Sequence, residues 1–133
     1  MSAPQRAEPI WLDLREIVVI HDRQLAEHGG GSGIRDRNLL ESALARPRNS
    51  WAYGESDWAA LAADYAYGFA RNHGFVDGNK RIAWIAARLF LALNGQKLAF
   101  DKADAIRLML SLAAGEIGED ALAAWFRERL TGD

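Results

Sequence analysis

The stretch His73-Gly74-Phe75-Val76-Asp77-Gly78-Asn79-Lys80-Arg81 separates two segments of helical periodicity, and the fold is read outward from it. On its N-terminal side Trp58, Leu61, Tyr65 and Phe69 recur at three- and four-residue intervals. Asp57 is placed to cap that helix, which should end near Asn72. On the C-terminal side Ile82, Ile85, Ala86, Leu89, Phe90 and Leu93 form a second apolar stripe, stopped by Gly95. Two glycines within nine residues, with no alternating pattern on either flank, make the stretch a turn between two helices.

The same signals extend to both ends of the chain. Asp13 with Glu16 forms a capping pattern for a first helix, with Leu14, Ile17, Val18, His21 and Leu25 on one face. Gly29-Gly30-Gly31-Ser32-Gly33 is the strongest breaker in the chain. Asp36 caps a second helix through Leu39, Leu40 and Leu44, which Pro47 is expected to end. Residues 46–56 then read as a loop carrying Trp51 and Tyr53. Lys97 to Phe100 is expected to be extended. A fifth helix starts at Asp101 or Lys102 and runs through Ile106, Leu110 and Ala113. A sixth, from about Glu119 to Leu130, buries Leu122, Trp125 and Phe126. The expectation is a compact all-α bundle of about six helices, one domain over residues 11–131 behind a polar lead-in at 1–10. The loop between the third and fourth helices is its candidate active site.

Composition narrows the function classes. The chain has 133 residues, a single-domain length that needs no metal or disulfide staple. It has no cysteine, which excludes thiolate zinc sites and redox chemistry. A net charge of −2 argues against a strongly basic nucleic-acid binder, so no direct nucleic-acid partner is expected. No run of about 18 apolar residues occurs and MSAPQRAEP lacks a signal pattern, so no membrane partner and a cytoplasmic location are expected. Lysine occurs only at Lys80, Lys97 and Lys102, against thirteen arginines. Abundant alanine favours helices that pack closely.

The nine-residue stretch has the parts of a phosphate site. Its glycines let the backbone approach a ligand, and it runs into a helix whose first amides lack intrahelical acceptors. Lys80 and Arg81 in the first helical turn oppose the helix dipole, a placement that makes sense beside an anion. Asp77 offers a hard oxygen to Mg²⁺, which takes one or two carboxylates and fills its shell with water and phosphate. His73 can accept a proton from a hydroxyl near neutral pH. Plain turn punctuation is the competing reading, and a histidine here can serve as a mere helix cap. The stretch is neither a Walker A loop nor an EF-hand.

At these residues the sequence resembles the Fic/Doc family, in particular its death-on-curing (Doc) toxin branch. The family pattern His-x-Phe-x-(Asp/Glu/Asn)-(Gly/Ala)-Asn-(Gly/Lys)-Arg is met by His73, Phe75, Asp77, Gly78, Asn79, Lys80 and Arg81. Ile20–Gly29, Leu39–Pro47 and Ala113–Ile117 also look like the corresponding parts of Doc-type chains, so the resemblance covers most of the sequence. It implies that His73 is the general base and that Asp77 holds Mg²⁺ and orients the hydroxyl. It further implies that Gly78, Asn79 and Lys80 cradle phosphate through backbone and side chain, that Arg81 binds phosphate with its fork, and that Arg71 touches phosphate or target. Phe75 is a core anchor in that picture.

Two departures from the AMP-transferring branch bear on the reaction. Lys80 stands where that branch has a second glycine, and Trp84 where it has a second arginine. In the Doc branch the same replacement goes with a reversed nucleotide that presents its γ-phosphate. The resemblance therefore implies phosphorylation with ATP and Mg²⁺ rather than adenylylation. It also implies a toxin of a toxin–antitoxin pair, acting on a threonine of translation elongation factor Tu. No Ser/Thr-x-x-x-Glu-Gly/Asn inhibitory pattern occurs in the chain, so inhibition is expected in trans, and the resemblance implies a Phd-type antitoxin for it. The alternatives are a Fic-type adenylyltransferase and a nucleotide- or antitoxin-binding module without turnover.

Further residues carry smaller expectations. Gly74 stands where many family members have proline and is expected to loosen the start of the loop. Ile82 replaces a frequent threonine, losing a first-turn hydroxyl. Trp51 and Tyr53 are candidates for target docking, with burial of both rings as the other reading. His21 reads as a satisfied core histidine, His28 as a helix C-terminal cation, and Arg46 with Arg48 as a solvated pair. Trp11, Trp58, Trp84 and Trp125 read as core anchors.

Overall fold

A computed structural model describes residues 7–131, so the lead-in expected at 1–10 lies partly outside the described residues. Six helices follow in order: α1 (Leu14–His28), α2 (Arg37–Ala52), α3 (Trp58–Asn72), α4 (Asn79–Leu93), α5 (Lys102–Ala113) and α6 (Glu119–Arg129). Four start on an aspartate whose side chain accepts a first-turn amide: Asp13, Asp36, Asp57 and Asp101. At α1 the capping box is complete, with Glu16 reaching back to the Asp13 amide. Among the described residues no strand forms, and the two isolated bridges join Ile34 to Phe75 and Leu98 to Leu130. The extended segment 97–100 is the stretch that pairs with the chain after α6, through Ala99 N–H to the Arg129 carbonyl and Thr131 N–H to the Lys97 carbonyl.

α3 is the axis of the molecule. Its alanines at 59, 62, 63, 66 and 70 and its Gly68 are buried together with Leu61, Tyr65 and Phe69, and it packs on α2, α4 and α6. Small side chains let these helices approach closely: a Cβ on Gly68 would stand 3.1 Å from the Ala43 backbone. Aromatic rings close the two ends of the bundle. Trp11, Trp58 and Tyr65 gather on Phe90, while Trp84, Phe100 and Trp125 gather with Phe126. The Tyr65 hydroxyl accepts the Leu12 amide at 3.0 Å, and burial pushes its pKa up to about 12.

Three expectations need correction. α2 does not end at Pro47 but carries it inside the helix and runs on to Ala52. Proline removes one amide donor, but here its ring is buried in the core, and the added turn brings Trp51 against Trp11 at 6.4 Å. Arg46 is not solvated: it bridges the buried Asp64 (3.6 Å) and, by a shorter contact, Glu119, tying α2 to α3 and α6. Burial, then the hydrogen bond to Glu119, raises the Asp64 pKa to about 7 against the opposing pull of Arg46. On α5 the buried face is Ala105, Leu108, Met109 and Leu112, which leaves Ile106 and Leu110 half-exposed.

Candidate active site

α3 ends on His73, the only described non-glycine residue with positive φ (53°, ψ 50°). That left-handed turn throws the chain off the helix axis and starts the loop. Arg35 caps the helix end, donating Nε to the His73 carbonyl at 2.6 Å and Nη2 to the Asn72 carbonyl at 3.1 Å. Gly74 follows, buried, its carbonyl accepting the amides of Arg35 (2.8 Å) and Asp36 (2.9 Å). A Cβ there would stand 2.4 Å from Leu40 Cδ2. Gly74 therefore does not loosen the loop. It makes room for Leu40, and a larger residue would push the two segments apart.

The middle of the loop is clipped from two sides. Phe75 is buried, and both its backbone groups bond the Asn79 side chain at 2.9 Å, closing a small ring. Asn79 is thus spent on the loop itself, which leaves only its backbone amide for a phosphate. His21, 2% exposed, lies parallel to the Phe75 ring at 3.7 Å between centroids, and its Nε2 is 2.8 Å from the Asp77 carbonyl. The Asp77 carboxylate accepts the Gly78 amide at 2.8 Å and the Gly31 amide at 3.3 Å. Gly30 must remain a glycine for this approach, since a Cβ would come 2.7 Å from Asp77 Oδ2. Val76 N–H bonds the Gly33 carbonyl at 3.1 Å, so the glycine run after α1 lies alongside the loop.

Gly78 turns through the left-handed region (φ 81°) into α4 without a side-chain cap. The first amides of α4 therefore face outward with no side-chain acceptor. Lys80 and Arg81 are exposed beside them, and among the described residues neither makes an ion pair. A cleft of about 1130 Å³ opens here between the loop, α4 and α5. It is lined by His73, Asp77, Gly78, Asn79, Lys80 and Arg81 at one end. Trp84, Arg88, Phe100, Lys102 and Ile106 line the other. Four of its lining side chains are Lys or Arg, and Asp77 is its one carboxylate among the described residues. That balance suits a polyanion.

Six of the expected site residues are thus brought together, and three are not. Arg71 is exposed outside the cleft wall, with Nη1 2.8 Å from where a Cβ on Gly115 would stand in the α5–α6 turn. Trp51 is half-buried against Trp11, which stacks on Phe90 in the last turn of α4, the end remote from the loop. Tyr53 is 94% exposed beside Asn49 and Gly54, also away from the cleft. Ile82 is buried, so no hydroxyl at that position would reach a ligand. Sequence reading missed Arg35, the glycine run and the α5 wall. Each meets the loop from a distant part of the chain, and only His21 had left a signal, as a histidine on an apolar face.

Asp77 is the cleft's one carboxylate and no cluster of three His, Cys, Asp or Glu residues occurs among the described residues, so a Mg²⁺ held here would take most of its ligands from phosphate and water. Comparison with known proteins agrees with the geometry. The model of the Fic/DOC family matches residues 11–91. "Toxin Doc" of Mycolicibacterium smegmatis is 44% identical over 101 residues, 72% of this chain and 77% of that protein. "Protein kinase doc" of Escherichia phage P1 is 36% identical over 118 residues, 88% of this chain and 92% of that protein. With the helical fold, the His73–Arg81 loop and these matches in place, the chain belongs to the Fic/DOC family.

Proposed function

We propose that this chain is a toxin of a toxin–antitoxin pair, a protein kinase that uses Mg-ATP to phosphorylate a threonine or serine hydroxyl of elongation factor Tu in the cytoplasm. The observation that carries the reading is the junction of His73 with the unpaired Lys80 and Arg81 at the open N-terminus of α4. His73 takes the proton as the acceptor oxygen attacks the γ-phosphorus. The bond from that phosphorus to the β–γ bridging oxygen breaks, and ADP leaves. Lys80, Arg81 and the α4 amides hold the phosphates in place and offset the charge on the transferring group, which is most of what phosphoryl transfer asks of a protein. Asp77 would hold Mg²⁺, which would supply further neutralisation of the phosphate charge.

Lys80 and Trp84 support the γ- rather than the α-phosphate as the transferred group. Lys80 lines the cleft where a glycine would leave space, and Trp84 is packed against Phe100 and Trp125, offering no cation. The name of the phage P1 relative supports a kinase, and the name of the Mycolicibacterium smegmatis relative, a toxin, supports an antitoxin partner, which we take to be of the Phd type. The test is mass spectrometry of purified elongation factor Tu after incubation with the chain and Mg-ATP. One added phosphate on a threonine or serine is expected, absent with the His73→Gly variant. An unmodified factor Tu would remove the proposed target.

A further inference from the structure

We propose that His21, 52 residues before His73, is a positioning residue for the transfer reaction, holding the Asp77–Gly78 peptide where the nucleotide and acceptor must meet. The inference rests on the kinase reading for its functional half and on geometry alone for its structural half. Asp77 is exposed in a loop, yet its backbone carbonyl is held at 2.8 Å by a side chain that is 2% exposed. A carbonyl only accepts, so His21 Nε2 carries the proton and donates it. The ring cannot rotate freely, because it lies parallel to Phe75 at 3.7 Å, and Phe75 is itself fixed by the Asn79 clip. Gly78 passes over the same ring: a Cβ on it would stand 3.5 Å from Nε2.

Among the described residues this contact is the one side-chain hydrogen bond from α1 to the peptide that precedes the helix start. The other contact from that side, the Gly31 amide to the Asp77 carboxylate, is longer at 3.3 Å and comes from an exposed glycine segment. Two functions of one residue are thereby separated. The Asp77 carboxylate faces the cleft for Mg²⁺ and hydroxyl, and its carbonyl, on the buried side, sets the angle of that carboxylate and of the Gly78 turn. A small shift of a reacting group from its productive geometry is costly in rate, even when the residue at fault touches no substrate.

The experiment compares His21→Phe, which keeps a ring against Phe75 but cannot donate, with His21→Gln, which donates without the ring. In steady-state transfer to elongation factor Tu, His21→Phe should lower kcat by about 100-fold. The KM for ATP should change by less than about threefold. His21→Gln should recover at least about tenfold of that loss. Amide hydrogen exchange of Gly78 and Asn79, measured without nucleotide, should quicken about tenfold in His21→Phe and return toward wild type in His21→Gln. Unchanged exchange in His21→Phe overturns the proposal, and so does accelerated exchange with unchanged kcat. A Gln variant no better than Phe also overturns it. If the wild-type chain transfers nothing to factor Tu, the proposed target fails, and the exchange result still decides whether His21 holds the loop. Should His21→Phe fail to fold, the Gln variant is judged by the same two readouts against wild type, with a loss of no more than about tenfold expected and a loss as large as about 100-fold overturning the proposal.

Discussion

Replacing Gly74 by alanine is the sharpest probe of how the loop is seated. The added methyl would stand 2.4 Å from Leu40 Cδ2, 2.6 Å from Cγ and 3.2 Å from the Leu40 amide nitrogen. Leu40 is 1% exposed, enclosed within the core. Overpacking of this kind costs about 1–3 kcal/mol. The upper half of that range is expected, because the Gly74 carbonyl also anchors the amides of Arg35 and Asp36. Leu40→Ala alone should cost about 2–5 kcal/mol through its cavity. In the double variant the new methyl enters the space that Leu40 vacates, so the two losses should not add. The double variant should be more stable than the sum by about 1–2 kcal/mol, beyond the few tenths by which independent sites deviate. Urea midpoints at constant slope measure all three proteins. Additive losses, or a neutral Gly74→Ala, would refute the claim that Leu40 fills the site of the missing side chain.

The remaining predictions concern the loop and the buried acid. His73→Ala and His73→Gly should both lose transfer while unfolding within a few degrees of wild type. The glycine variant should be the more stable by about 1 kcal/mol, because His73 sits at positive φ. A thermal melt alongside a transfer assay checks both. Asn79→Ala leaves the Phe75 amide and carbonyl without partners and should cost about 2–4 kcal/mol by urea unfolding. Asp64 has its folded pKa raised to about 7 from 3.8, so the folded state keeps a proton that the unfolded chain has released. Its contribution is therefore full below about pH 4 and is lost as the pH rises toward 7. Relative to Asp64→Asn, the wild type should lose about 2–4 kcal/mol across that window and nothing more above it, read from urea midpoints at each pH.

Local signals carried most of the helix plan. Asp13, Asp36 and Asp57 were legible as caps because a cap is an interaction across two or three residues, whereas the start of α5 was legible only as Asp101 or Lys102. The end of α2 was not, because Pro47 speaks for a local break while the buried contact of Trp51 with Trp11 rewards another turn. The same misreading put Trp51 in a loop, and both it and Tyr53, just past α2, sit at the end of the bundle remote from the site. The end of the cleft formed by the His73–Arg81 loop was legible for the opposite reason: its residues are consecutive. What holds the loop was not legible, since His21, Gly31, Arg35 and Leu40 reach it from 34 to 56 positions away. Asn79 was identified at the site, but its side chain bonds the loop rather than facing a ligand.

The central claim is that the γ-phosphate, and not the nucleotidyl group, leaves ATP at His73. Purified chain, Mg²⁺ and elongation factor Tu incubated in parallel with γ-labelled and α-labelled ATP test it directly. The account predicts label on factor Tu from the γ-position only, abolished by His73→Gly. Label from the α-position would contradict it and would mean that Lys80 and Trp84 do not set the direction of the nucleotide.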